Sequence, residues 1–338
     1  MTPSLPTEAS LCHARMLALD WGTTNLRALL LDHTGAILAQ RHSPSGILAV
    51  AHGQFEAALR SLCADWMNEA SLVVMASGMI GSRQGWVEAP YLQAPAAPAD
   101  AAQALTIIPL ADGARLHLIP GIACTHGTHA DTVDDVMRGE ETQIWGAALP
   151  DGATVILPGT HSKWVRCGPA GTIIGCRTWM TGELFSVLSQ HSILGRLMER
   201  GDGSEEAFAL GAMRSLHEPE SLSTLLFSVR TAGLMDRIAP HALSDYLSGL
   251  LIGAEVAAGQ RHVSALPAIA NQREASIAKV LSGSPPLPYY LIGEHALCER
   301  YARVISMTGA LSITLDGSLS ARGAWQIAQS AGLLPSSG

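Results

Sequence analysis

Thr154-Val155-Ile156-Leu157-Pro158-Gly159-Thr160-His161-Ser162-Lys163-Trp164-Val165-Arg166-Cys167 reads as a strand, a glycine-headed turn and a second strand. Residues 168–171 make a further turn, and Thr172-Ile173-Ile174 a third strand. The chain opens on the same unit. Residues 16–19 form an apolar run ending in Asp20, and Trp21-Gly22-Thr23-Thr24-Asn25 has turn character. A second run follows over 26–31, a turn at His33-Thr34-Gly35, and a third run over 36–39. Gly22-Thr23 heads the first long turn and Gly159-Thr160 the second, and the spacing to the next turn glycine is 13 residues in one copy and 12 in the other. Two copies of one antiparallel meander, one in each half, predict a duplicated, two-lobed α/β protein.

Length agrees with that division, because 338 residues exceed what one core usually organises. Between the meanders, Phe55, Leu59, Leu62 and Trp66 recur at helical spacing. Residues 72–75 read as a strand opening into Ser77-Gly78-Met79-Ile80-Gly81-Ser82-Arg83, and the Ala- and Pro-rich stretch 89–99 reads as an extended surface segment. Residues 135–149 suggest a helix that begins with acid and stops before Pro150. Beyond Gly182 the pattern is mainly helical. Gly249, Gly253 and Gly259 allow close packing, Tyr289-Tyr290-Leu291-Ile292 is a strand, and 321–328 is a last helix.

Composition narrows the function. The formal net charge is −8 and the 21 basic residues form no cluster, which argues against nucleic acid as a partner. Six cysteines without a Cys-x-x-Cys pair suggest neither a zinc site nor a disulfide framework. Residues 1–10 lack the basic flank and apolar core of a signal peptide, and no apolar run approaches the roughly 20 residues that cross a bilayer. A cytoplasmic protein without membrane contact is expected. His117, His126 and His129 near Asp131 match no familiar metal spacing. P-loop, dinucleotide-binding, protein-kinase and hydrolase signatures are missing from the sequence.

The two turns carry the chemistry. A tight glycine-headed turn exposes consecutive backbone N–H groups that can bind anionic oxygens, and Thr hydroxyls add donors. Asp20 just before the first turn suits a divalent cation held through water. An ordinary hairpin whose threonines satisfy their own backbone explains the same letters. In the second turn Gly159, Thr160 and Ser162 offer the same groups, and Lys163, one of two lysines in the chain, adds a cation. Trp21, Trp86 and Trp179 read as packing residues rather than stacking platforms.

These loops resemble the two phosphate-binding motifs of the actin, Hsp70 and sugar-kinase superfamily. The strings VMASGMIGSRQGWVEAPY (74–91), DVMRGEETQ (135–143), LPGTHSKW (157–164), WMTGE (179–183) and HSILG (191–195), with residues 291–296, are similar to the 2-dehydro-3-deoxygalactonokinase family over almost the whole chain after the first dozen residues. The resemblance implies the duplicated actin-like (ribonuclease H-like) ATPase fold, with mixed sheets flanked by helices around an interdomain cleft. An N-terminal lobe over 14–148 would carry the first phosphate loop, the sugar-acid site and the base. A C-terminal lobe over 149–338 would carry the second loop and the nucleotide site. The implied reaction is transfer from ATP to the terminal hydroxyl of 2-dehydro-3-deoxy-D-galactonate, with Mg²⁺ organised by Asp20. Gly22, Thr23, Thr24, Gly159, Thr160, Ser162 and Lys163 would hold phosphates, and Gly293 with Glu294 would meet adenine or ribose.

Related kinases place the base Asp at the start of a helix, which points to Asp135 with Asp134 as second choice. Helix capping explains an acid there equally well. Ser77, Gly78 and Met79 leave a strand end where ligands are usually met. Arg83 is the local receiver for a substrate carboxylate, with Arg27 and Arg177 as substitutes. Alternatives are the gluconate isomer as substrate, a phosphohydrolase of the same superfamily, or a sugar-acid sensor. Pro158, standing where such hydrolases usually carry an acid, favours the kinase. A homodimer stays open.

Overall fold

The computed structural model describes residues 14–51, 53–67, 72–126, 133–265, 286–315 and 318–334. The chain divides into two compact units.

The first unit opens on β1 (Ala14–Trp21), β2 (Leu26–Asp32) and β3 (Ile37–Ser43), the predicted meander, followed by α1 (Phe55–Cys63), β4 (Val73–Ser77), β5 (Tyr91–Gln93) and α2 (Pro98–Gln103). Next come β6 (Thr106–Pro109), β7 (Arg115–Leu118), β8 (Gly121–His126), β9 (Val133–Met137) and α3 (Glu140–Gly146). A six-stranded sheet runs in the order β3-β2-β1-β4-β7-β6. Its meander pairs are antiparallel, while β1 pairs with β4, and β4 with β7, in parallel. Central β1 is apolar on both faces, as a strand covered on both sides must be. Leu17, Leu19, Leu30, Phe55, Leu59, Val74 and Leu116 share one buried cluster. A smaller sheet, β5-β8-β9, stands apart.

In the second unit β10 (Thr154–Leu157) and β11 (Ser162–Cys167) repeat the hairpin, followed by β12 (Ile173–Trp179). Then come α4 (Thr181–His191), α5 (Glu205–His217), α6 (Leu222–Leu234), α7 (Leu243–Ala265), β13 (Tyr289–Ile292), α8 (His295–Met307) and β14 (Ser312–Leu315). The sheet order is β12-β11-β10-β13-β14, with β10, β13 and β14 parallel. Its first four strands reproduce β3-β2-β1-β4, so the duplicated actin-like organisation is present in the strand order itself. The glycines of α7 serve close packing as expected: a Cβ at Gly249 or Gly253 would lie 2.1 Å or 2.6 Å from α5 carbonyl oxygens.

One expectation needs correction. Residues 135–149 are not one helix. Strand β9 takes Asp134 and Asp135 into the small sheet, and the helix begins only at Glu140, after Gly139 at φ 108°. Pairing with β8, rather than intrinsic propensity, decides that segment: Ile122 pairs with Met137, both buried, and Cys124 with Asp135. Residues 168–175 and 318–334 group with the first unit. The last helix, α9 (Leu319–Ser330), crosses α3 with its backbone almost in contact. A Cβ at Gly146 would stand 1.9 Å from the Leu319 oxygen, and one at Gly323 the same distance from the Thr142 oxygen. Gly323→Ala is therefore expected to cost about 3 kcal/mol through overpacking, read as a lowered urea midpoint with an unchanged slope.

Candidate functional site

Three chain ends meet at the carboxyl end of β1. Parallel pairing sets Asp20 opposite Ser77 and carries the backbone on to Trp21 and Gly78. A Cβ at Gly78, whose φ is 95°, would lie 2.8 Å from the Trp21 oxygen, and one at Gly139 would lie 3.1 Å from the Gly78 Cα. Only glycines permit this approach, so Asp20, the Gly22–Thr24 turn, the 77–79 segment and the start of α3 share one corner.

The first turn is held by its carbonyls. Gly22, Thr23 and Thr24 accept hydrogen bonds from Ile47, Leu48 and Gly46 at 3.0, 3.2 and 3.1 Å. With the carbonyls used, the Thr23 and Thr24 amides have no backbone partner among the described residues, and both threonines are exposed. That is the donor-outward arrangement of an anion nest. The Asp20 carboxylate has no side-chain hydrogen bond among the described residues. Burial raises its carboxyl above the usual range, partly offset by the Arg27 charge. A desolvated carboxylate with so little compensation gains from a cation, so it fits Mg²⁺.

Other predicted residues of this unit fare differently. Ser77 is buried and its hydroxyl reaches the Leu19 oxygen at 3.5 Å; Met79 packs on the core. Arg83 is 87% exposed and already paired with Glu88 at 2.9 Å, a poor setting for reading a carboxylate. Arg138, which the sequence reading passed over, is buried against the Tyr91 ring and donates to the Ala89 oxygen at 2.9 Å. Its Nε and Nη1 find no partner among the described residues. Asp134 is exposed on β9 and accepts from Thr125, which in turn accepts from Gln93, a polar row across the small sheet. Asp135 is half-buried on the opposite side of the same strand. Trp21 is fully buried with its indole N–H on the Ser45 oxygen, a packing role as expected. His129 and Asp131 lie outside the described residues, and no metal-binding cluster occurs among the described ones.

The second unit repeats the corner. A Cβ at Gly293, which follows β13, would lie 3.2 Å from the Pro158 oxygen, as Gly78 does against Trp21. Nothing lies within 4 Å of a Cβ on Gly159, which leaves that face of the turn open. The turn rests on α4: Glu183 N–H donates to the Thr160 oxygen at 3.0 Å, and His161 bonds the Glu183 carboxylate at 2.5 Å. Beside it lies a cavity of about 370 Å³, lined by Gly159, Thr181, Ser244, Asp245, Leu251, Leu297 and Arg300 among others. Glu294 also lines it, but its carboxylate caps α8 by accepting from Ala296 and Leu297, bonds that hold its pKa low. Ser162 departs from expectation: its one hydroxyl proton goes to Glu255 at 2.6 Å, so it cannot also be given to a phosphate. Lys163 is buried, with Nζ on the His161 oxygen at 3.4 Å.

Two loop-bearing sheets repeated in one chain define an α/β protein of the actin-like class. More narrowly, residues 20–327 match the family described as 2-keto-3-deoxy-galactonokinase, and the chain belongs to that family. It is 41% identical over 254 residues to the 2-dehydro-3-deoxygalactonokinase of Escherichia coli (strain K12), spanning 74% of this chain and 82% of that one. A candidate 2-dehydro-3-deoxygalactonokinase of Rhizobium meliloti (strain 1021) is 40% identical over 246 residues, covering 71% and 78%. A crystal structure of a candidate 2-dehydro-3-deoxygalactonokinase from Sinorhizobium meliloti superposes with a TM-score of 0.78 at 34% identity, over 93% of this chain and 98% of that one.

Glu141, the second residue of α3, is fully buried with both carboxylate oxygens on the Gly139 N–H at 2.8 Å, and burial pushes its pKa up from 4.5 to about 8. A raised folded-state value means stability is highest below the unfolded value and is lost as pH rises towards about 8. Glu141→Gln keeps an acceptor for Gly139 and cannot ionise. It is expected to flatten the stability decline between pH 5 and 8, which for one such proton reaches about 1.4 kcal/mol per pH unit. Urea midpoints across that range check it.

Proposed function

We propose that the protein transfers the γ-phosphoryl group of ATP to the terminal (6-) hydroxyl of 2-dehydro-3-deoxy-D-galactonate. The observation that carries this is the pair of strand-end turns, the first with the Thr23 and Thr24 amides lacking a backbone partner among the described residues and the second open around Gly159, in a chain that is 41% identical over 254 residues to a protein of that name. The repetition matters more than either turn, since a lone hairpin explains one of them equally well.

Thr23, Thr24, Gly159 and Thr160 would hold phosphate oxygens through backbone N–H groups and hydroxyls. Asp20 would hold the metal, whose bound charge would offset that developing on the transferred group. The 370 Å³ cavity has apolar walls at Leu251 and Leu297 and polar groups at Ser244 and Asp245, a combination that suits a nucleoside. The Gln93–Thr125–Asp134 row offers donors and acceptors of the kind that sugar hydroxyls need.

The base needs hydrogen-bond reach to the acceptor hydroxyl. Asp135 pairs with Cys124 inside β9, and the helix starts only after the strand has ended at Met137. Glu140 opens α3 immediately after Gly139, half-buried, with one carboxylate oxygen on the Arg138 N–H at 3.0 Å. The helix-start argument therefore moves the proposed role from Asp135 to Glu140. Glu140→Gln is expected to lower kcat by about a hundredfold or more while ADP affinity holds, and Asp135→Asn to lower it less. The reverse ranking in steady-state kinetics returns the role to Asp135.

ADP release in a coupled assay with ATP–Mg²⁺ tests the reaction. Strong dependence on the galactonate acid over its gluconate isomer is expected. Equal rates with both acids would remove the stereochemical assignment. Release with no acceptor would make the protein a hydrolase, and none under any condition a sensor.

A further inference from the structure

Glu255 stands in the middle of α7 and is 2% exposed. A carboxylate so placed is costly unless its lone pairs are satisfied, and often no more stabilising than an apolar side chain of similar size. Here four donors converge on it. Ser162 Oγ and Trp164 Nε1 reach Oε1 at 2.6 and 2.8 Å, the Tyr301 hydroxyl reaches Oε2 at 2.5 Å, and the Thr181 hydroxyl completes the set. Burial raises the Glu255 pKa and these donors lower it.

The donors are not scattered. Ser162 ends the second turn, and Thr181 begins the helix on which that turn rests. A Cβ at Gly182 would stand 2.4 Å from the Gly159 oxygen and 2.8 Å from the Thr160 Cα, so any shift at the start of α4 displaces the turn directly. Tyr301, on α8, lines the 370 Å³ cavity together with Thr181 and Gly159. One buried carboxylate thus holds the turn's last residue, the helix beneath the turn, and a wall of the cavity.

We propose that Glu255 is a positioning residue: through Ser162, Thr181 and Tyr301 it fixes the Gly159–Thr160 turn in the shape that accepts nucleotide phosphates and ties it to the cavity wall. This rests on the reading of that turn as a phosphate loop. A role confined to stability would leave the ratio of ADP to adenosine affinity unchanged, whereas a positioning role weakens ADP alone.

The experiment measures ADP and adenosine binding by calorimetry, with KM for ATP and for the sugar acid, in the full chain. Glu255→Gln keeps the volume but places an N–H donor where one of the four donors needs an acceptor. It is expected to weaken ADP and raise KM for ATP by about tenfold, as the loss of a charge-assisted contact would, with adenosine affinity and KM for the sugar acid within twofold. An unchanged ADP-to-adenosine ratio overturns the inference. If that variant does not fold, Ser162→Ala decides, since it removes a single donor: an ADP-selective loss of about threefold supports the role, and wild-type affinities overturn it. Thr160→Val separates the two readings. A normal ADP-to-adenosine ratio in Thr160→Val removes the turn from the phosphate site and the inference with it; an altered one beside a normal Glu255→Gln removes the inference alone.

Discussion

Both halves of the protein depend on one backbone contact, a glycine at the end of a parallel strand lying flush against the carbonyl of its neighbour. Gly78 meets Trp21 in this way and Gly293 meets Pro158. The contact forces the chain leaving each strand to start from the same corner as the glycine-headed turn beside it. Ligand groups in open α/β sheets gather beyond the carboxyl ends of parallel strands for this reason, since there the backbone can be exposed without breaking a ladder. A methyl group at Gly78 would push the two segments apart, and one at Gly293 would require the neighbouring carbonyl to give way.

Duplication has not kept the halves alike. In register, Asp20 of the first copy corresponds to Leu157 of the second, so one turn follows a desolvated acid and the other an apolar residue. The means of support differ as well. Backbone N–H groups of residues 46–48 hold the first turn, while the second adds side chains to the one backbone bond from Glu183: His161 with Glu183 outside and Ser162 with Glu255 inside. A backbone scaffold tolerates sequence change along it, whereas a side-chain scaffold fixes residue identity on several elements at once.

Much of this could be read from residues alone. Meanders announce themselves because strand, glycine turn and strand are local signals, and residues 154–157 and 289–292 form strands as the sequence suggests. The glycines of α7 were recognisable because a helix rich in small residues has little other use for them. Residues 133–146 were not legible, because an acidic run before an apolar periodic stretch looks like a helix start, and only pairing with β8 turns Asp134 and Asp135 into strand residues. Ser162 is illegible for a similar reason: a carboxylate 93 residues away takes its hydroxyl proton. Arg83 follows the strand end at Ser77 but is tied to Glu88 in solvent, while the buried Arg138 gives no local sign of its burial.

The return of α9 to α3 has a consequence for how the chain is made. Helix α3 and the sheet beside it emerge early in synthesis, yet the partner that fills the groove along Gly146 lies at residues 319–330. Domains generally fold as units while the chain is still growing. Here both segments of the second unit are synthesised before the last helix of the first. For the time that translation takes to cover more than 170 residues, the α9-facing side of α3 is without its native partner.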